Sequence, residues 1–222
     1  MISNDRKQDP VATTSLVRTR SEGAARISME NSAEYSEDTL AVRGAKRFGC
    51  SPDFCAYSTD PDFRASPVNK ATIGNWRFAG GHVHIGYDNP NRVPPHIVAM
   101  LCDLYLGLQC ASSMGGMSDR RVRYYGEAGR YRPKPYGIEY RTLPSTWVHG
   151  DLWPRLIAFN ALRVGNFIDN APVEEIQELY RKVPWAEVRA AINARDKGFT
   201  AAEVLAKLRV DGMWPSLREY MR

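Results

Sequence analysis

The most constraining feature of this sequence is a change in the spacing of its apolar residues along the chain. In residues 80–86 and 137–141 apolar and polar side chains alternate, which is the period of a β-strand with one buried face. Strand patterns in the middle of the chain, followed by helical patterns, predict an α+β fold with a mostly antiparallel sheet. From Trp147 onward apolar residues recur every three or four positions, which predicts helices at about 151–168, 173–182, 184–197 and 200–209.

One more helix is predicted between the two strand patterns. Pro94 and Pro95 suit its first turn, and an apolar stripe continues to about Ser113. The last helix of the chain is expected to begin at Thr200 as the N-cap, with Glu203 completing a capping box.

The domain organisation follows from the distribution of polar residues. A chain of 222 residues is long enough for one sizeable domain. Residues 1–40 are polar and contain few large apolar side chains, so we expect a flexible or poorly ordered arm. Residues 41–150 are predicted to form the sheet domain, and residues 151–222 a helical region packed on the same domain.

The expected compartment is the cytoplasm. No run of about 18 apolar residues is present, and the first twenty residues lack the apolar core of a signal peptide. Cys50 and Cys55 are too far apart for a CxxC pair, and Cys102 and Cys110 lie in an apolar stretch. Reduced thiols are therefore expected, and no membrane partner is.

Two histidines form the first candidate site. In the strand pattern of residues 80–86, His82 and His84 point away from Val83 and Ile85, about 7 Å apart by strand geometry. Glycines on both sides leave room for a ligand to approach the backbone. The pair suits one or two metal ions or a phosphate group, and the alternative is two ordinary histidines on a half-exposed strand.

A carboxylate and a guanidinium form the second candidate site. Glu139 and Arg141 share the strand face opposite Ile138. The carboxylate suits a hard cation such as Mg²⁺, and the planar arginine suits a carboxylate or a phosphate. A purely structural ion pair is the alternative.

The third candidate is a basic segment that contributes much of the net charge of +5. Six cations fall between Arg120 and Lys134, interleaved with tyrosines, which is typical of nucleic-acid binding. The segment also contains glycines and leads directly into residues 137–141, which better fits a hairpin that delivers arginines to a polyphosphate. Basic surface decoration is the remaining interpretation.

The candidate motifs, taken in order, resemble a known enzyme family. RFAGGHVHIG at 77–86 and YGEAGRYRPKPYGIEYRTLPSTW at 125–147 resemble the phage-encoded carboxylate–amine ligases, often called amidoligases. These are similar to glutamine synthetase and glutamate–cysteine ligase, and GIEYRTLP resembles a glutamine synthetase strand. GCSPDFCAYS at 49–58 resembles the segment before the histidine strand of the phage family. The resemblance covers roughly residues 44–150 and implies a glutamine synthetase-like sheet with helices on one face.

The resemblance also implies an activity and its partners. ATP would phosphorylate a carboxylate with the help of Mg²⁺, and an amine would then displace phosphate from the acyl phosphate. The substrates would be a small-molecule or peptide carboxylate and an amine, and nucleic acid is not expected as a partner. The host cytoplasm is implied for a phage protein, and the relatives admit a homo-oligomer because related sheets build sites near subunit contacts.

Individual roles carry over to matching positions. His82 and Glu139 would bind metal, and His84 would contact metal or nucleotide phosphate. Arg141 would orient the substrate carboxylate or the acyl phosphate, with Arg130 and Arg132 as further catalytic side chains. The residues expected to hold the nucleotide phosphates are Arg123, Arg130, Arg132 and, in addition, Lys134.

One departure from the family pattern keeps alternatives open. Family members begin with an acidic strand of GxDPE type and a second acidic strand, and the first is not recognised in this sequence. Glu30 lies in a stretch that faintly resembles the second. Without these strands the metal site lacks most of its carboxylates. A truncated, inactive binding protein on the same fold is therefore one alternative, and a basic nucleic-acid-binding module is another.

Overall fold

The structure is a computed structural model. It describes residues 32–42, 53–58, 74–113, 126–148, 150–194, 196 and 198–210. Arg123, most of the N-terminal arm and the extreme C-terminus lie outside these ranges.

A four-stranded antiparallel sheet carries the candidate residues. Its strands, in spatial order, are β2 (Phe54–Cys55), β5 (Arg130–Lys134), β6 (Gly137–Tyr140) and β4 (Val83–Gly86). Strands β5 and β6 form a tight hairpin in which Lys134 pairs with Gly137. Gly137 has φ of +145°, and a Cβ there would lie 2.1 Å from the Ile85 carbonyl oxygen, so only glycine fits. Both the α+β fold class and the antiparallel sheet predicted from the sequence are confirmed.

A smaller ladder lies earlier in the chain. Strand β1 (Ser32–Glu34) pairs antiparallel with β3 (Trp76–Phe78), and the short helix α1 (Glu37–Leu40) follows β1. Residues 32–40, the end of the predicted arm, thus form regular structure.

The helix predicted between the strands is present and continuous, but it contains a wider turn. It consists of α2 (Pro95–Cys102), a π-helical turn (Asp103–Gly107) and α3 (Leu108–Ser113). Pro95 lies in the first turn, as predicted. The whole π-turn is buried, which places Asp103 in the centre of the protein.

In the part of the chain that the structure describes, four helices follow the sheet, after a 3₁₀ turn at Ser145–Val148. The predicted capping box of the last helix is wrong: its N–H groups are capped by Asp196, which accepts hydrogen bonds from the backbone of Gly198 and Thr200. None of the helices in the described ranges has the length and apolar content needed to cross a bilayer. The four helices are α4 (Leu152–Asn170), α5 (Val173–Lys182), α6 (Trp185–Asn193) and α7 (Phe199–Val210).

The hydrophobic core lies between the helices and one face of the sheet. Val83 and Ile85 of β4 and Ile138 and Tyr140 of β6 are buried in it, together with apolar residues from α2 to α7. Because successive strand residues point to opposite faces, the intervening residues of β4 and β6 point to the other face. That face carries the polar candidate residues.

Candidate functional site

Strand register brings the candidate residues from three strands together. Glu139 of β6 lies directly opposite His84 of β4 on one side and Arg132 of β5 on the other. The pairing of the chain before β4 with the chain after β6 continues through a hydrogen bond from the Gly81 N–H to the Leu143 carbonyl. His82 is thereby held near Arg141, and the two side chains are 3.2 Å apart between Nδ1 and Nη1.

Glu139 lies at the centre of the resulting cluster. Its carboxylate is 2.9 Å from Lys134 Nζ, 3.1 Å from His82 Nδ1 and 3.8 Å from Arg132 Nη1. Arg141 Nη1 also donates a hydrogen bond to it. The side chain of Glu139 is only 7% exposed, so these contacts replace most of its water.

A second carboxylate, Asp53, completes the cluster. It comes immediately before β2, and its Oδ1 lies 3.0 Å from Arg132 Nε and 2.9 Å from Arg141 Nε. Sequence reasoning did not single out Asp53. The signal was present in Gly49 and Pro52, which together with Asp53 match the glycine, proline and final acid of a GxDPE pattern. Asp53 thus supplies a carboxylate where the sequence analysis recognised none.

The cluster has an excess of positive charge. Burial alone would raise the pKa of Glu139, but the Lys134 ammonium and the nearby Arg141 and Arg132 outweigh it and lower the pKa to about 2. Glu139 and Asp53 together face the cationic side chains of Arg132, Lys134 and Arg141 and the imidazole of His82. Such a surface is complementary to an anion.

Two predicted site residues have their side chains elsewhere. His84 lies in register with Glu139, but its Nδ1 shares a hydrogen bond with the Tyr136 hydroxyl. Arg130 lies on the cluster's face of β5, yet its Nη2 is 2.5 Å from Glu127 Oε2. Arg189 of α6 binds the other oxygen of the same carboxylate at 2.9 Å. His84 and Arg130 therefore form contacts beside the cluster and not within it.

A comparison with protein families identifies the lineage. The model described as phage phiEco32-like COOH·NH2 ligase type 2 matches residues 73–193, more than half of the chain. The chain belongs to this family. The matched range contains the histidine strand, the β5–β6 hairpin and helices α2 to α6, and Asp53 lies before it. The family resemblance inferred from the motifs is confirmed, and with it the membership of a carboxylate–amine ligase family.

The other comparisons add no relatives. No curated protein and no solved structure matches the chain. Functional assignments to single residues therefore depend on the geometry of this ligase-family sheet.

The donor atoms suited to a divalent cation are those of His82 and Glu139. Within the described ranges no three His, Cys, Asp or Glu side chains form a metal-binding group. Glu139 stays ionised, as a hard cation requires, and His82 Nδ1 lies beside it. Lys134 is a long, partly exposed side chain that can turn away from Glu139. When the basic side chains bind an anionic ligand, Glu139 and His82 are left as donors that fit a small metal ion.

Proposed function

We propose that this protein is an ATP- and Mg²⁺-dependent ligase that joins a carboxylate to an amine through an acyl phosphate. The observation that carries the proposal is the meeting of Glu139 with His82, Arg132, Lys134 and Arg141 on one face of the sheet. Family membership supports the same coarse chemistry.

The cationic side chains suit a phosphoryl group in transfer. Arg132 and Arg141 are planar forks: Arg132 Nε donates a hydrogen bond to Asp53 Oδ1, and Arg141 Nε lies 2.9 Å from the same oxygen in an ion pair. Lys134 adds a mobile ammonium at the hairpin. In a nearly buried cluster these charges stabilise negative charge more strongly than they would in water.

Glu139 and His82 would hold Mg²⁺, which supplies neutralisation of phosphate charge when bound. Lys134 and Arg141 then serve the anionic ligand and not Glu139. His84, held by Tyr136, would contact the nucleotide or metal only by leaving that hydrogen bond.

The proposed reaction has two displacements. An oxygen of the substrate carboxylate attacks the γ-phosphorus of ATP, and ADP leaves with the electrons of the broken P–O bond. The nitrogen of the amine then attacks the acyl carbon, inorganic phosphate leaves and the nitrogen loses a proton. In this proposal Arg141 orients the carboxylate, and Arg132 and Lys134 hold the transferring phosphoryl group. The substrates proposed are a small-molecule or peptide carboxylate and an amine.

Substitution of Glu139 tests the proposal. The purified chain is incubated with Mg·ATP, a mixture of amino acids and short peptides, and hydroxylamine as a small amine that traps acyl phosphates as hydroxamates. We expect hydroxamate and ADP from the wild type, and a loss of about 10²-fold or more in Glu139→Gln, since an anionic ligand of the site is removed.

The matched control is Glu178→Gln. Glu178 forms an exposed pair with Lys182 on α5, so the same change should leave the rate unaltered. A Glu139→Gln variant that turns over as fast as the Glu178→Gln variant would remove Glu139 from the mechanism. Hydroxamate formed without release of ADP and inorganic phosphate would exclude the acyl phosphate.

A further inference from the structure

A buried carboxylate lies behind the proposed site, on the opposite face of the sheet. Asp103 is fully buried in the π-turn of the central helix. Its Oδ1 accepts a hydrogen bond of 2.6 Å from the Tyr140 hydroxyl and one of 3.4 Å from the Thr142 hydroxyl. Nothing in the proposed chemistry uses Asp103 directly.

The two donors alternate with two site residues along the chain. Tyr140 and Thr142 point to the helices, whereas Glu139 and Arg141 point to the site. The one hydroxyl proton of Thr142 is shared between Asp103 Oδ1 and the Glu127 carbonyl oxygen, 3.1 Å away, and the second contact ties the same segment to the start of the hairpin. A single buried carboxylate therefore holds the segment at two points that flank Arg141.

The helix is shaped to make this contact. A π-turn is rare and often marks a functional position. Gly107, at the end of the turn, leaves the space for the Tyr140 hydroxyl, because a Cβ there would lie 2.5 Å from it. Gly107 thus leaves room for the Tyr140 hydroxyl, and Asp103 accepts its hydrogen bond.

We propose that Asp103 is a positioning residue: by holding Tyr140 and Thr142 on the helical face, it fixes the strand segment that aims Glu139 and Arg141 into the site. The consequence for catalysis rests on the proposed function. Arg141 is 3% exposed and contacts both Asp53 and Glu139, so a small shift of this segment breaks contacts that have no water to replace them. Misplacement by about 1 Å is enough to cost a factor of about 10² in rate.

No other charged side chain neutralises Asp103 in the part of the chain that the structure describes. The groups that face it are the hydroxyls of Tyr57, Tyr140 and Thr142, the backbone N–H of Gly129 and the thiol of Cys102. Burial raises the pKa of Asp103 to about 6, in spite of the hydrogen bonds from Tyr140 and Gly129. Burial of a carboxylate costs free energy, and the cost is offset here by its role as hydrogen-bond acceptor, which an apolar residue could not fill.

The test follows the Arg141 guanidinium by NMR in the full chain. The Nε–H signal of Arg141 is assigned by its loss in Arg141→Lys, and its exchange with water is measured. In Asp103→Ala and Tyr140→Phe we expect exchange to speed up by about tenfold or more, the change that loss of one hydrogen bond to a buried charged group produces. Asp103→Asn, which keeps an oxygen for Tyr140, should restore exchange close to the wild-type rate.

The matched control is Asn160→Ala. Asn160 is 2% exposed in the same core and bonds Gln109 at 3.2 Å, away from the sheet. It should lower stability without altering Arg141 exchange. Unchanged exchange in both Asp103→Ala and Tyr140→Phe, or equal acceleration in Asn160→Ala, would overturn the inference. Tyr140→Phe and Thr142→Val keep the test available if Asp103→Ala does not fold.

Titration with inorganic triphosphate separates this inference from the proposed function. If the wild type binds triphosphate, Asp103→Ala should bind it about tenfold more weakly, and Asp103→Asn should not. If the wild type does not bind triphosphate, the proposed function fails, and the exchange of Arg141 alone decides whether Asp103 positions the segment.

Discussion

The Glu139 carboxylate is nearly buried, yet it remains ionised because cations replace its water. A buried charge without partners would be neutralised by a raised pKa, whereas Lys134, Arg141 and Arg132 lower the pKa of Glu139 to about 2. Asp53 plays the same part for the two guanidinium groups. The charges of the cluster are therefore interdependent, and removal of one exposes another.

Replacement of Asp53 tests this interdependence. Asp53→Asn keeps the shape of the side chain but leaves Arg132 and the buried Arg141 without their shared carboxylate. We expect the free energy of unfolding to fall by about 3 kcal/mol, as is typical when one partner of a buried ion pair is removed. Urea denaturation measures it. Glu187→Gln, which breaks an exposed pair with Lys207, should cost less than about 1 kcal/mol, and equal losses would contradict the prediction.

Asp103 has the opposite pH behaviour to Glu139. Burial raises its pKa from 3.8 to about 6, so in this range the folded state binds its proton more tightly than the unfolded state. The contribution of Asp103 to stability is therefore complete below pH 4 and is lost as the pH rises through 6. We expect the wild type to lose on the order of 3 kcal/mol relative to Asp103→Asn between pH 4 and 7.

Urea denaturation of both proteins at several pH values checks this prediction. The depressed pKa of Glu139 makes stability fall as the pH drops from 4.5 towards 2, but it affects both proteins equally and cancels in the difference. A difference that does not change with pH would mean that Asp103 titrates at its ordinary pKa.

For the central helix, residues 95–113, the sequence predicted the two ends but not the shape in between. The prolines and the apolar stripe predicted its existence and its ends because these depend on local sequence. The π-turn was not predicted, because a wider turn at Asp103–Gly107 is stabilised by contacts with the sheet. The last helix shows the same limit, since Asp196 and not Thr200 caps it.

A double-mutant cycle at the π-turn tests the fit between helix and sheet. Gly107→Ala gains up to about 1 kcal/mol of helix propensity, but its Cβ collides with the Tyr140 hydroxyl, and overpacking costs about 1–3 kcal/mol. We expect net destabilisation by urea denaturation. In the Tyr140→Phe background the nearest atom is gone, so the same substitution should cost clearly less. Equal costs in both backgrounds would locate the clash elsewhere, for example at Ile192.

Within the described ranges a continuous hydrophobic core joins the sheet to the C-terminal helices. It includes Ile138 of β6 and Leu208 of α7, both fully buried. Because the site lies on the outer face of the same strands, its geometry depends on helices that contribute no side chain to it. Loss of packing far from Glu139 should therefore lower the stability of the sheet and the helices together.

Leu208→Ala tests this dependence. The lost apolar contacts and the cavity should lower the free energy of unfolding by about 3 kcal/mol. We expect far-ultraviolet circular dichroism, which is dominated by the helices, and the Arg141 Nε–H signal to report the same urea midpoint, in the wild type and in the variant. Separate midpoints for the two probes would show that the sheet and the helices unfold independently.

The sequence by itself predicted the histidine strand, the central helix, the strands of the β5–β6 hairpin and the C-terminal helices in their order. It also indicated the α+β class, the family and the central candidates Glu139, His82, Arg132, Lys134 and Arg141. These features follow from the spacing of apolar residues and from short motifs, both of which can be read along the sequence without the fold. Only the tertiary structure brought Asp53 between two arginines, turned Arg130 to Glu127 and His84 to Tyr136, and placed Asp103 behind the site. Each of these depends on contacts between residues far apart in sequence, or on rotamer choices among competing partners, and side-chain period does not encode either.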